Sequence, residues 1–273
     1  ATRDEAPPAC RAACKHKRIQ CFQYVLARLD DEQVAATLPA LLGEVVLATK
    51  DPNQKTREAA YDLLLSVAEQ TERRAATKAG ADSNAGADAI RSLMLNLVAG
   101  LAGKSPHMIS ASLLALSRLL FEYRERDELA PFSARLFSTA ISLLGHNAQE
   151  VARAVIVLAK VQLATLPDDE VEPRLGALVP PMLEWASNRN AHMKFQVRYL
   201  MERLVKRFGV GKMMTVTPEP HQRLLTHMRK TKERERRHVE RRLAEKEVRA
   251  QRGWDEGGTG GSSGEGGSER GRR

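Results

Sequence analysis

Apolar residues recur along this chain at helical spacing, in blocks that each follow a candidate helix-capping residue. Ala59, Ala60, Leu63, Leu64 and Val67 form one i, i+3, i+4, i+7 stripe, with Arg57, Asp62 and Glu69 on the other side. Ile109, Leu113, Leu116, Leu119 and Leu120 form a second stripe, and Val151, Val155, Leu158 and Val161, then Leu200, Leu204 and Val205, continue the series. The candidate caps Asn53, Ser105, Asn147 and Asn190 are spaced by 52, 42 and 43 residues. A pitch of about 40–47 residues carrying two helices is that of HEAT and armadillo arrays. The pattern predicts an all-α, HEAT/armadillo-like α-solenoid of about four to five helix pairs. Each unit buries its apolar face only against its neighbours.

The second helices are predicted at Lys55 to Gln70 and Pro106 to Tyr123, and the first helices at Glu32 to Leu47, Asp88 to Leu101, Leu129 to Leu144 and Val171 to Trp185. Ser105 followed by Pro106 is a cap with a first-turn proline. Pro180 and Pro181 fall inside a first helix and predict a kink or split there, because proline lacks the amide donor and its ring crowds the preceding turn. The small, Gly-containing run from Ala75 to Ala87 accounts for the long first step and predicts a mobile inter-repeat loop.

Composition fits this class. Of 273 residues, 42% are hydrophobic and only 4% aromatic, against what a β-rich core uses. Apolar stretches fall short of the 18 or more residues expected of a membrane span. The start, A-T-R-D-E-A-P-P, has neither an initiator Met nor a signal-peptide pattern, which suggests a piece of a longer protein whose first repeat, near Ala9, would pack on preceding ones.

Candidate chemistry is sparse. Cys10, Cys14 and Cys21, with His16 among them, are spaced C-x3-C-x6-C on a predicted helix, without the second tight pair a structural zinc site uses; partly buried, reduced thiols are the expectation. His107, His146, His192, His221, His227 and His238 lie scattered at helix starts and in the tail. No G-x-S-x-G, H-E-x-x-H or phosphate-loop sequence occurs, and F-G-V-G-K around Gly209 and Gly211 follows no strand. The sequence thus calls for no catalytic residue, cofactor or metal, and an enzyme reading lacks a site.

Charge is more informative. The chain carries 43 Lys and Arg against 34 Asp and Glu, and 15 basic against 9 acidic residues lie from His221 onward. Pro218 and Pro220 precede a helix with Leu224, Leu225 and Met228. Beyond it only Val239, Leu243 and Val248 continue an apolar pattern. Glu233 with Arg237 and Glu245 with Arg249 are i, i+4 pairs in the favourable order. Arg229, Lys230, Lys232, Arg234, Arg236, Arg237, Arg241 and Arg242 are the candidate RNA-binding residues, since a basic helix along an RNA backbone gains affinity by counterion release without reading sequence. The same run suits a nuclear import receptor. Three segments follow: a HEAT-like solenoid over 1–218, a docking helix continuing as a basic charged helix over 219–252, and a disordered Gly/Ser-rich tail over 253–273. Phe208 closes the last repeat at Gly209, a candidate αL cap, and the helix from Glu219 to Lys230 would cover the end of the stack.

Three stretches, K-T-R-E-A-A-Y-D-L-L from Lys55, M-I-S-A-S-L-L-A-L-S-R-L-L-F-E from Met108, and L-V-K-R-F-G from Leu204 leading to H-Q-R-L-L from His221 and Arg229-Lys230, resemble in order the C-terminal repeats of the ribosomal RNA-processing protein 12 family. The resemblance runs from about Asp51 to Lys232. It implies a nucleolar and nuclear protein, shuttling to the cytoplasm, that acts as a non-enzymatic scaffold on pre-ribosomal RNA and pre-ribosomal proteins. It further implies support of rRNA processing and subunit export, with contacts to nucleoporins and the Ran GTPase. The alternative is a generic HEAT-repeat adaptor, such as a nuclear transport receptor or a kinase or phosphatase scaffold.

Overall fold

The computed structural model describes residues 8–79, 84–187, 189 and 191–256, and among them every regular element is helical. In chain order these are α1 (Pro8–Leu26), α2 (Asp31–Ala48), α3 (Gln54–Ala79), α4 (Ala85–Ala99), α5 (Pro106–Glu122), α6 (Ala130–Ser142), α7 (Gln149–Thr165), α8 (Asp168–Val171), α9 (Leu175–Ser187), α10 (Ala191–Val216) and α11 (Gln222–Glu256). The chain divides into two compact units, 1–218 and 219–273.

Within the first unit the helices pair in succession. α2 packs on α3, α4 on α5, α6 on α7 and α9 on α10, while the second members of the pairs pack side by side, α1 on α3, α3 on α5, α5 on α7 and α7 on α10. This is the nearest-neighbour packing of an all-α solenoid. The predicted stripes form its interior: Leu63, Leu64, Leu113, Leu116, Leu158 and Leu200 are fully buried. One polar pair is buried with them. Gln162 on α7 accepts from the Ser133 hydroxyl at 2.7 Å and donates to the Ser133 carbonyl at 3.2 Å, so both ends of the amide are satisfied.

The helix starts depart from several expectations. Asn53 does cap α3, its side chain accepting from the Lys55 amide at 3.0 Å. Ser105 is the N-cap of α5 through backbone conformation, with Pro106 in the first turn. Asn147 is not a cap: α7 begins one residue later with Ala148 at that position, and His146 Nδ1 accepts the Ala148 amide at 3.0 Å. Asn190 lies outside the described residues. The best-formed cap was missed. Asp30 and Gln33 make a reciprocal capping box at the start of α2, with bonds of 2.8 and 3.2 Å.

Three other readings are corrected. The Ala75–Ala87 run is largely helical, because α3 continues to Ala79 and α4 starts at Ala85; residues 80–83 lie outside the description. Ala-rich sequence is strongly helix-forming, and that preference outweighs Gly86 in the first turn of α4. The expected break at Pro180 and Pro181 is displaced upstream. α9 runs through both prolines, with Leu178, Val179, Met182 and Leu183 buried, and the interruption is a 3₁₀ turn at Glu172–Arg174. Burial of that apolar face compensates the missing amide donors. Finally, residues 85–102 are 18 long with mean hydropathy 1.2, enough by length and composition for a membrane span. Their apolar stripe, Ile90, Leu93, Met94, Leu97 and Leu101, is instead buried in the first unit.

α10 is two helices joined at Gly209. Its φ of 82° is the positive value a cap glycine supplies, but ψ of 159° lies outside the αL region, and the chain resumes helix through Val216 rather than looping to Thr217. Cys14 and Cys21 are free and exposed, against the expectation of partly buried thiols, since they fall on the outer side of α1 while Ile19 and Leu26 take the buried side. The Cys10 side chain lies outside the description.

Candidate nucleic-acid interface

The tail helix α11 carries the predicted RNA-binding residues on successive turns. At 3.6 residues per turn, Arg223, Lys230, Arg234, Arg237 and Arg241 are separated by 7, 4, 3 and 4 residues and fall on one stripe about 60° wide. All five are exposed. Arg229, Arg236 and Arg242 lie off this stripe, and of Lys232 only the backbone is described. The structure therefore brings Lys230, Arg234, Arg237 and Arg241 together and separates the other three. Arg223 was missed, although its register in the sequence would have found it.

Ion pairs along the helix are loose and exposed. Arg237 reaches Glu233 at 3.2 Å, as its i, i+4 spacing predicts. Arg236 is shared between Glu233 at 2.9 Å and Glu240 at 3.5 Å. Glu245 pairs with Arg241 at 3.7 Å, whereas its expected partner Arg249 has no described side chain. Exposed pairs of this kind are worth about 0–1 kcal/mol, so a phosphate competes for Arg237 and Arg241 at little cost. No ion pair engages Lys230 or Arg234 among the described residues. The helix extends to Glu256, taking in Gly253–Glu256, which composition assigns to a disordered tail; residues from 257 onward lie outside the description.

A second cationic cluster, not foreseen from the sequence, lies in the first unit on α7 and α10. Lys160 and Arg203 flank the Tyr199 ring at 5.7 and 5.9 Å. The Lys160 ammonium is pushed below the usual lysine range, first by burial and then by Arg203. Other basic residues serve the fold. Arg207 donates to the carbonyls of Leu163 and Leu166 at 2.7 and 2.6 Å and to Asp168, holding the C-terminal end of α7. Arg74 does the same for α1, with bonds to Leu26 and Leu29 carbonyls at 3.1 and 2.8 Å and to Asp31 at 2.8 Å. A hollow of about 450 Å³ between α2, α4 and α5 is lined by Leu38, Leu42, Val46, Leu97 and Met108 with Asn96 and Ser112, and no titratable side chain faces it. No group of three or more His, Cys, Asp or Glu side chains is arranged to hold a metal ion among the described residues.

Comparison with known proteins decides the relationship. No family model matches the chain. The putative ribosomal RNA-processing protein 12 of Schizosaccharomyces pombe is 30% identical over 209 residues, 77% of this chain, and ribosomal RNA-processing protein 12 of Saccharomyces cerevisiae is 31% identical over 72% of it. The chain is homologous to ribosomal RNA-processing protein 12. The human RRP12-like protein, 23% identical over 82% of the chain, extends the relationship to vertebrates. The chain spans 16–18% of the length of these relatives.

Proposed function

We propose that this segment is a non-enzymatic helical scaffold that associates with pre-ribosomal particles during rRNA processing, and that α11 contacts RNA phosphates through its basic stripe. The relatives' names support the ribosomal setting. One observation carries the RNA contact: Arg223, Lys230, Arg234, Arg237 and Arg241 share one exposed face of a long helix. Successive cations on one face follow a phosphate backbone, which gives binding that ignores base identity. Residence in the nucleolus and nucleus, shuttling with subunits during export, and contacts with nucleoporins and Ran belong to the same reading and rest on the resemblance alone. Imaging of the tagged full-length protein tests the first two, and pull-down with purified nucleoporin repeats and Ran tests the last.

The RNA contact is tested by two triple charge reversals of equal net charge. Arg234→Glu, Arg237→Glu and Arg241→Glu remove the stripe, while Arg229→Glu, Arg236→Glu and Arg242→Glu leave it. Binding of a labelled oligo-uridine strand is followed by fluorescence anisotropy across a salt series. Each lost phosphate contact lowers the magnitude of the salt slope by about 0.7, so the stripe variant should lose about 2 from it and the control less than half as much. Equal effects of the two triples would show that only net charge matters and that the stripe is not a binding face.

A further inference from the structure

We propose that the hollow between α7 and α10 docks an acidic peptide segment of a protein partner, seated by one large aliphatic side chain. The proposal stands on other residues than the RNA reading and does not depend on it. The hollow is about 240 Å³ and is lined by Arg153, Ile156, Val157, Lys160, His192, Met193 and Gln196. That is smaller than the usual range for a drug-sized ligand and suits a single side chain. Its floor is aliphatic and thioether: Ile156 and Met193 are buried, and Val157 stands 39% exposed at the edge.

The rim is cationic and unneutralised. Arg153 donates to the Met193 sulfur at 3.1 Å and to Gln149 at 3.4 Å, Lys160 donates to Gln196, and Arg203 lies over Tyr199. None of these three pairs with a carboxylate among the described residues, whereas Arg198, on the same helix, pairs with Glu202 at 3.0 Å. Phe195, one helical turn before Tyr199 on α10, is 63% exposed, and Tyr199 is 44% exposed. An apolar hollow edged by Arg153 and Lys160, with the Tyr199 ring and Arg203 beside Lys160, has the anatomy of a peptide-docking surface, with the anchor in the middle and charge at the edge. Acidic side chains complete the three cations. An aliphatic floor is what separates this occupant from a nucleic acid, because it offers a base edge no donor or acceptor.

The test is selection of a displayed random peptide library on the full chain, followed by anisotropy with the enriched peptides. Enriched sequences should be acidic and carry one Leu, Ile or Met, and replacing that residue by Ser should weaken binding by about tenfold or more, the effect of losing one buried aliphatic group. Arg153→Glu, Lys160→Glu and Arg203→Glu together should abolish binding, and Val157→Asp alone should weaken it at least as much as the peptide's own Ser substitution. Arg153, Val157 and Arg203 are exposed and Lys160 is half-buried, and a circular dichroism melt of each variant separates a binding loss from unfolding. Enrichment without acidic bias, or unchanged binding to the triple variant, would overturn the proposal. So would an oligo-uridine strand that needs the same three cations while no peptide is selected; the face would then be a nucleic-acid surface.

Discussion

Replacing Arg207 by Met should destabilise the first unit out of proportion to a single exposed-edge residue. Its guanidinium bridges two free carbonyls at the end of α7, Leu163 and Leu166, at 2.7 and 2.6 Å, and reaches Asp168, while its side chain is only 23% exposed. Hydrogen bonds to a charged group contribute about 1.5–3 kcal/mol each. Two carbonyls would lose their partner, though water reaches part of the site, so the net loss should be about 2–4 kcal/mol. For a unit of this size, that lowers the melting temperature by on the order of 10 °C. Arg207→Lys keeps the charge but not the planar fork, so it should recover less than half of the loss. Asp168→Asn should cost about 0.5 kcal/mol or less, because that carboxylate is 66% exposed and its ion pair is screened. Thermal melts followed at the helical circular dichroism band read all three. A melting temperature of Arg207→Met within about 2 °C of the parent would refute the reasoning and reduce Arg207 to a surface charge.

Gly209→Ala should cost about 1–3 kcal/mol, through backbone strain at its φ of 82° and ψ of 159° rather than through a clash, since an added Cβ meets nothing within 4 Å; Gly211→Ala, equally open but without a positive φ, should be neutral or stabilising, and equal melts of the two variants would contradict the strain argument. Glu150 is held below the usual carboxylate range, chiefly by its bond with Lys50, which also donates to Ser110 at 2.6 Å and so ties three successive repeats. A depressed folded-state pKa gives stability that is present above the ordinary glutamate value and is lost as pH falls through the folded value. Glu150→Gln should therefore leave a chain whose stability declines less as pH falls below about 4.5, and parallel acid-denaturation curves for parent and variant would rule that out.

The helix pairs were legible because burial enforces periodicity. Leu63, Leu113, Leu116 and Leu158 are apolar where the 3.6-residue repeat demands it, and each is fully buried. Helix ends were less legible, since a cap is a local bond that several residue types can make: Asn147 has the right chemistry, but His146 and Ala148 take the role. Proline misled in the same way. Pro180 and Pro181 carry a local penalty visible in the sequence, while the burial of Leu178, Val179, Met182 and Leu183 that offsets it depends on neighbouring helices. Of the interface, the basic run was visible and its division into a stripe and off-stripe residues follows from helical register. The cluster of Arg153, Lys160 and Arg203 was not visible, because those residues come from two helices and 50 positions of sequence.

Arg74 and Arg207 change what the sequence resemblance means. Each sits on the second helix of a pair and returns to the end of the preceding second helix, where it holds two main-chain carbonyls and one Asp at the start of the next helix. The same residue type making the same three bonds at both places is a device of the repeat. The last carbonyls of a helix have no partner within it and carry partial negative charge, so a guanidinium there satisfies them and opposes the helix dipole together. Arg207 belongs to the L-V-K-R-F-G stretch on which the resemblance to the ribosomal RNA-processing protein 12 family rests, and Gly209 in that stretch is the residue with the glycine-specific backbone. That stretch therefore marks how one repeat is fastened to the next. The α11 stripe and the Arg153, Lys160 and Arg203 side chains hold no such helix end, which accords with the contacts proposed for them.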